Sequence, residues 1–149
     1  MHLAGLLPST VVTLVDSSAQ RCETARSAVA SVTLDDRVSV VHTRADDMAR
    51  EDEWREHADG VVSRLFGPAS ELAECGLPLV DLGGLLVLSV SATTMRWWES
   101  APLAGLGARY EGSWSTSAGL YVAVAKEAAT PTRFPRRTAA RKRRPWPIA

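Results

Sequence analysis

Short apolar runs alternate with amphipathic stretches along most of this chain. Residues 11–15 (Val-Val-Thr-Leu-Val) are apolar and largely β-branched without alternation, the pattern of a strand buried on both faces. Ser17 with Gln20 three residues on matches a capping box. Cys22, Ala25, Val29 and Val32 then recur at spacings of three and four, which predicts a helix over 18–32. Asp35-Asp36 read as a turn and residues 37–41 as a second strand. Residues 42–59 are strongly charged, and one or two surface helices anchored by Met48 and Trp54 are expected there. Residues 60–65 read as a third strand and 69–80 as a helix, with Pro68 suited to its first turn. Gly83-Gly84 break the pattern before an apolar strand over 85–90. A short helix over 94–100 carries Trp97-Trp98. Residues 108–115 and 120–126 are strand-like, and the link between them is short enough for a hairpin.

The order β-α-β-α-β-α-β-α-β-β predicts an α/β fold, a mostly parallel sheet with helices on both faces and a closing antiparallel hairpin. The expected domain covers residues 1–127. From residue 128 Pro, Arg and Lys dominate, and a disordered tail over 128–149 is expected.

Charge divides the chain the same way. Its zero net charge conceals 10 Lys/Arg against 17 Asp/Glu over residues 1–132, and seven basic groups without an acid over 133–149. An acidic body with a basic tail points to contact with a polyanion, and a merely solvated terminus is the alternative. Cys22 and Cys75 fall in apolar helical patterns and read as buried thiols. The three histidines have no metal-ligand spacing, so no metal is expected. No membrane span or signal peptide is visible, which makes the cytoplasm the expected location.

Three strand ends carry chemistry. Asp16 closes the first strand, where a carboxylate can accept both hydroxyls of a ribose; a plain helix cap accounts for it equally well. After the second strand Asp46 can accept from an adenine amino group and the Ala45 backbone can line the base, or Asp46 and Asp47 simply favour a helix N-terminus. Arg64 ends the third strand, where an unpaired buried cation would be costly, so it faces a cleft or a structural carboxylate. In the tail, Arg133, Arg136, Arg137, Arg141, Lys142, Arg143 and Arg144 can hold phosphates, with Phe134 and Trp146 available for stacking. Trp97-Trp98 read as packing residues first and base platforms second.

Thr13-Leu14-Val15-Asp16-Ser17 with Arg21, Arg37-Val38 through Arg44-Ala45-Asp46-Asp47, Ser63-Arg64, Leu77-Pro78-Leu79-Val80 with Gly83-Gly84-Leu85-Leu86, and Phe134-Pro135-Arg136-Arg137 follow one another in order. Together they resemble the RsmG (GidB) family of 16S ribosomal RNA guanine N7-methyltransferases. The resemblance implies a Rossmann-like class I fold and S-adenosylmethionine as cofactor. Asp16 and Ser17 would meet its ribose, Ala45 and Asp46 would border its adenine, and Arg64 would lie near its methionine end and the target base. The implied partner is ribosomal RNA or the small ribosomal subunit.

Two family elements have no counterpart in the given residues. The first strand with its glycine-rich loop is missing, and Leu3 to Pro8 read as the end of the helix that would follow it. The family lysine after the fourth strand falls at Val90. The gap leaves open a methyltransferase, a non-catalytic RNA-binding or partner-binding remnant, and a shortened gene model. In the family fold the missing strand lies between those carrying Asp16 and Arg64. Those two strands are therefore expected either to pair directly or to keep open edges, at which a second copy or a partner chain can add.

Overall fold

A computed structural model of the chain describes residues 9–34, 36–64 and 67–147. The remnant helix expected over residues 3–8, Asp35 of the expected turn and Leu65 of the third strand lie outside the described residues. Contacts group the chain into two units, Met1–Asp47 and Met48–Ala149.

In the first unit β1 (Val12–Asp16) pairs in parallel with β2 (Val38–His42), so that Asp16 lies opposite His42. Between them runs α1 (Ala19–Ser31), which packs Val29 against Val38 with Val12, Leu14 and Val40 alongside. Ser18, not Ser17, caps α1: its hydroxyl accepts from the Arg21 N–H. The shift by one residue arises because Asp16 Oδ1 already accepts from the Ser18 N–H, which ties the first bend to the carboxylate. Cys22 is buried on the helix face, and Cys75 is buried as well.

A single helical turn, α2 (Ala45–Met48), follows β2. The longer surface helices expected over 42–59 do not form. Residues 49–56 turn instead around Arg55, whose guanidinium donates to the carbonyls of Ala49, Thr130 and Phe134. Side-chain bonds to distant backbone replace the local helical ladder. Met48 is buried as expected, and Trp54 is half-buried.

The second unit is built on a four-stranded sheet of order β3-β4-β6-β5, with β3 (Ala58–Arg64) parallel to β4 (Val80–Val90). The β5 (Ala108–Thr116) and β6 (Gly119–Lys126) hairpin inserts β6 antiparallel to β4 and leaves β5 at the edge. Between β3 and β4, α3 (Ala69–Gly76) gives way at Leu77–Leu79 to a 3-10 turn containing Pro78, and β4 begins where helix was expected to end. Proline at that point cannot continue the α-helical ladder. After β4, α4 (Ala92–Ser100) is capped by the Ser91 hydroxyl. Leu86 and Leu88 of β4, Val122 and Val124 of β6, Leu72 of α3 and Trp98 of α4 form one core on one face of the sheet. No helix among the described residues is long and apolar enough to cross a membrane.

Gly83-Gly84 sit inside β4 rather than before it. The register to β3 slips there, from Ala58 opposite Val80 to Gly60 opposite Leu85. Gly83 takes a left-handed φ of 81°. A Cβ on Gly84 would stand 2.6 Å from the Asp59 carbonyl oxygen and 2.8 Å from Val80 Cγ1. Gly84→Ala should therefore force the two strands apart, at a cost of about 1–3 kcal/mol. Urea unfolding would measure it, and a loss below experimental error would mean that the bulge relaxes freely.

The basic tail is not disordered. Phe134 and Trp146 are buried in the core, and α5 (Thr138–Arg143) packs with Arg141 buried. The compact second unit thus continues through the expected boundary at residue 127. Composition alone suggested disorder because its arginines could not be seen to have partners. Glu74 takes both the Nε and an Nη of Arg136, and Glu71 pairs with Arg141.

Candidate functional site

The carboxyl ends of β1 and β2 carry the first unit's candidate residues. Parallel strands bring their C-terminal residues to one end of a sheet, where the turns that follow can meet a ligand. Asp16 Oδ1 accepts from Ser18 N–H at 2.7 Å and Oδ2 from Arg21 Nε at 2.8 Å. The Arg21 hydrogen bond, then that from Ser18, holds this carboxyl below its ordinary value, so it stays ionised. Its side chain keeps 34% of its surface open, and each carboxylate oxygen has a lone pair beyond the one in use. Asp16 is both cap and open acceptor, so the two readings of it coexist.

The Asp16 carbonyl accepts from Thr43 N–H at 3.1 Å, which draws the turn after β2 against the turn after β1. Ser17 is exposed, and its carbonyl oxygen lies 3.2 Å from His42 Nε2. Ala45 opens α2 half-buried. Asp46 is buried, and Arg44 Nε donates to its Oδ1 at 2.9 Å. Its carboxylate is thus neutralised locally, which is what allows it to be buried there.

In the second unit Arg64 ends β3 exposed, and among the described residues no carboxylate pairs with it. It faces a cleft, as the cost of burying an unpaired arginine suggested. That cleft is a cavity of about 220 Å³ lined also by Val62, Ser89 and Tyr121.

The seven tail cations separate into two groups. Arg136 and Arg141 turn inward to Glu74 and Glu71. Arg133, Arg137, Lys142, Arg143 and Arg144 are exposed, with the Arg133 guanidinium carbon 5.0 Å from the centroid of the Phe134 ring. Phe134 and Trp146, expected as stacking platforms, are core residues, and Trp146 meets Trp97 edge-on at 5.9 Å.

Known proteins share part of this sequence and the fold. The profile of the GidB family, described as rRNA small subunit methyltransferase G, matches residues 1–96. The chain belongs to this family. Among GidB relatives, the ribosomal RNA small subunit methyltransferase G of Clostridium kluyveri is 36% identical over 80 residues, 54% of this chain and 33% of that protein. The protein of the same name from Lactobacillus helveticus is 40% identical over 82 residues, 55% of this chain and 34% of its own. The match thus spans about a third of the length of these curated relatives.

Solved methyltransferases share the fold. The antibiotic-resistance methyltransferase Kmr superposes with a TM-score of 0.65 at 16% identity, over 84% of this chain and 79% of its own. A methyltransferase from Geobacter sulfurreducens gives 0.55 at 17% identity, over 77% and 58%. The Rossmann-like class I methyltransferase fold expected from the motifs is therefore the fold of this GidB member.

Sequence reasoning overlooked several buried polar groups of this GidB chain, Glu74, Thr130 and Lys126 among them. Lys126, 1% exposed, donates to the Leu77 carbonyl at 2.8 Å and pairs with Glu56 at 2.9 Å. Its signal was available: a lone lysine closes the otherwise apolar β6.

Proposed function

We propose that this chain serves S-adenosylmethionine-dependent methylation of a guanine N7 in 16S ribosomal RNA. The ionised, half-used carboxylate of Asp16 at the end of β1, inside the stretch matched by the GidB profile, carries this reading. Asp16 fits a ribose because it offers acceptors alone, already oriented by Arg21 and Ser18. Ser17 borders the same group, and Ala45 and Asp46 frame the adenine. Arg64 supplies positive charge on the target side. When bound, the cofactor supplies a methyl group on a positively charged sulfur, and the protein's work is positioning and electrostatics. The exposed tail cations Arg133, Arg137, Lys142, Arg143 and Arg144 add affinity for the RNA backbone.

Among the described residues of each unit, β1 forms a ladder with β2 and β3 with β4. These one-sided ladders are where a further strand, from a second copy or a partner chain, would add.

Isothermal titration with S-adenosylmethionine tests the reading. Heat of binding is expected from the natural chain, and Asp16→Asn should weaken it about tenfold, the worth of a hydrogen bond to a charged group. No heat at millimolar ligand would remove the cofactor role. Salt-dependent RNA binding without that heat would instead identify a non-catalytic RNA-binding member.

A further inference from the structure

The exposed cations of the C-terminal segment do not sit on a free arm. Each lies within two residues of a side chain turned into the second unit: Arg133 beside Phe134, Arg137 beside Arg136, Lys142 and Arg143 after Arg141, and Arg144 before Trp146. Residues 133–149 contain no acid, so no carboxylate of the segment itself competes for them.

Carboxylates of α3 hold the segment down. Glu74, 0% exposed, accepts from Arg136 Nε at 2.8 Å and from the Arg136 N–H at 3.4 Å, besides the second guanidinium nitrogen. One carboxylate thus fixes both the backbone and the side chain of Arg136. Glu71, three residues earlier on the same helix, holds Arg141 at 3.3 Å. Arg55 donates to the Phe134 carbonyl at 2.9 Å, and Arg50 donates to the Arg136 carbonyl at 3.1 Å. These anchors and the segment all belong to the second unit. A flexible polycation gives up chain and side-chain freedom each time it binds, whereas a docked one has already given up its chain freedom on folding. The docked cations therefore present a fixed spacing to an anion. With Phe134 and Trp146 in the core, the segment offers charge and donors alone, which read a phosphate backbone and not its bases.

We propose that Glu74 is a positioning residue for RNA: by docking Arg136 it holds Arg133, Arg137, Lys142, Arg143 and Arg144 as a pre-formed surface for the phosphodiester backbone. The choice of RNA rests on the methylation reading. The surface itself rests on the Glu74–Arg136 contact and on the alternation of inward and exposed residues beside it. The role has a sign that charge alone does not give. A carboxylate near a polyanion opposes binding, so charge alone would make its removal tighten the complex. Loss of positioning weakens it.

Fluorescence anisotropy of a labelled, unstructured RNA oligonucleotide tests it, read across a salt series with the full chain at a temperature where circular dichroism shows the folded state. Glu74→Gln should weaken binding about tenfold, the worth of ordering one or two long side chains afresh. The slope of log affinity against log salt should stay as it is, because the number of exposed cations is unchanged. Arg137→Gln and Lys142→Gln should instead each flatten that slope by about 0.7, one released counterion on a single strand. The double variant Glu74→Leu/Arg136→Met exchanges the pair for apolar packing and should bind RNA as the natural chain does, with the same slope. Glu71→Gln covers the case in which Glu74→Gln does not fold: its side chain is 27% exposed and holds Arg141, and its loss should weaken binding by a smaller factor. Unchanged or tighter binding in the folded glutamine variants of Glu74 and Glu71 overturns the positioning role. Weaker binding with a flatter slope in the double variant overturns it too, because Arg136 would then be an RNA contact itself. In either case the methylation reading stands if cofactor heat persists. The expected RNA results without any cofactor heat do the reverse.

Discussion

Arg136→Ala is expected to destabilise the second unit by about 3–5 kcal/mol, the cost of leaving one half of a buried ion pair behind. Glu74 is fully buried, and Arg136 reaches it through Nε at 2.8 Å and through a second guanidinium nitrogen. That two-point contact on the carboxylate is the strong form of the arginine pair. It also lifts the Arg136 guanidinium further above its ordinary value, so its charge is constant. The Arg136 carbonyl in turn accepts from Arg50 and Arg141, so this residue organises the strap from Phe134 into α5. Against a total stability of about 5–15 kcal/mol for a typical domain this is a large fraction. The double variant Glu74→Leu/Arg136→Met should recover much of it, because exchange of a whole buried pair for apolar groups is often neutral. Thermal and urea unfolding measure both variants. A small stability loss accompanied by a large loss of RNA affinity would mean that Arg136 serves RNA rather than the ion pair with Glu74.

Glu56→Gln is expected to cost about 3 kcal/mol at neutral pH, since it leaves the Lys126 ammonium buried without an anion. Glu56 receives Lys126 Nζ at 2.9 Å and the Thr130 N–H at 2.6 Å, while Lys126 also donates to Thr130 Oγ1. The residue holds a left-handed φ of 56°, a strain of about 1–3 kcal/mol that persists because its carboxylate is anchored twice. Burial raises the Glu56 carboxyl, but the hydrogen bonds from Lys126 and Thr130 prevail and hold it below 4.5. Its contribution is therefore complete above pH 4.5 and lost as pH falls through the lowered value in the folded chain. Lys126 moves the other way from an ordinary ion-pair lysine: burial draws it below 10.5 more strongly than Glu56 lifts it. The folded chain thus binds this proton less tightly than the unfolded one, so stability rises with pH between the lowered value and 10.5. Removal of the Glu56 charge lowers Lys126 further, so the variant should regain stability relative to the natural chain as pH rises from neutral toward 10.5. Urea midpoints across that interval test the sign. A loss under about 1 kcal/mol with no alkaline recovery would mean that Lys126 is not held as an ammonium.

Legibility followed the range of the interactions involved. The strands at residues 11–15, 37–41 and 85–90 and the helix after Ser18 were readable because periodicity reports which face of a segment is buried. Their ends were less so. Ser18 displaced Ser17 as cap through one hydrogen bond to Asp16, and Pro78 ended α3 early so that β4 could begin at Val80. Asp16 was legible as a strand-end carboxylate, and the ordered motifs gave it a role; its anchoring by Arg21 was the part that needed coordinates. The tail was misjudged because Pro and Arg content speaks for solvation. Nothing local to Arg136 announces Glu74, 62 residues away, or links Arg55 to Phe134, 79 residues away.

By itself the amino-acid order determined the α/β alternation, the closing hairpin, the placement of Asp16, Asp46 and Arg64 after successive strands, and membership of the GidB family. Those properties depend on residues a few positions apart and on motifs in linear order. Only the tertiary structure decided which basic side chains are structural and which face solvent. It also decided that Phe134 and Trp146 complete a core. Charge pairing, burial and register join segments that the chain keeps apart, and each partner is chosen by packing rather than by its neighbours in sequence.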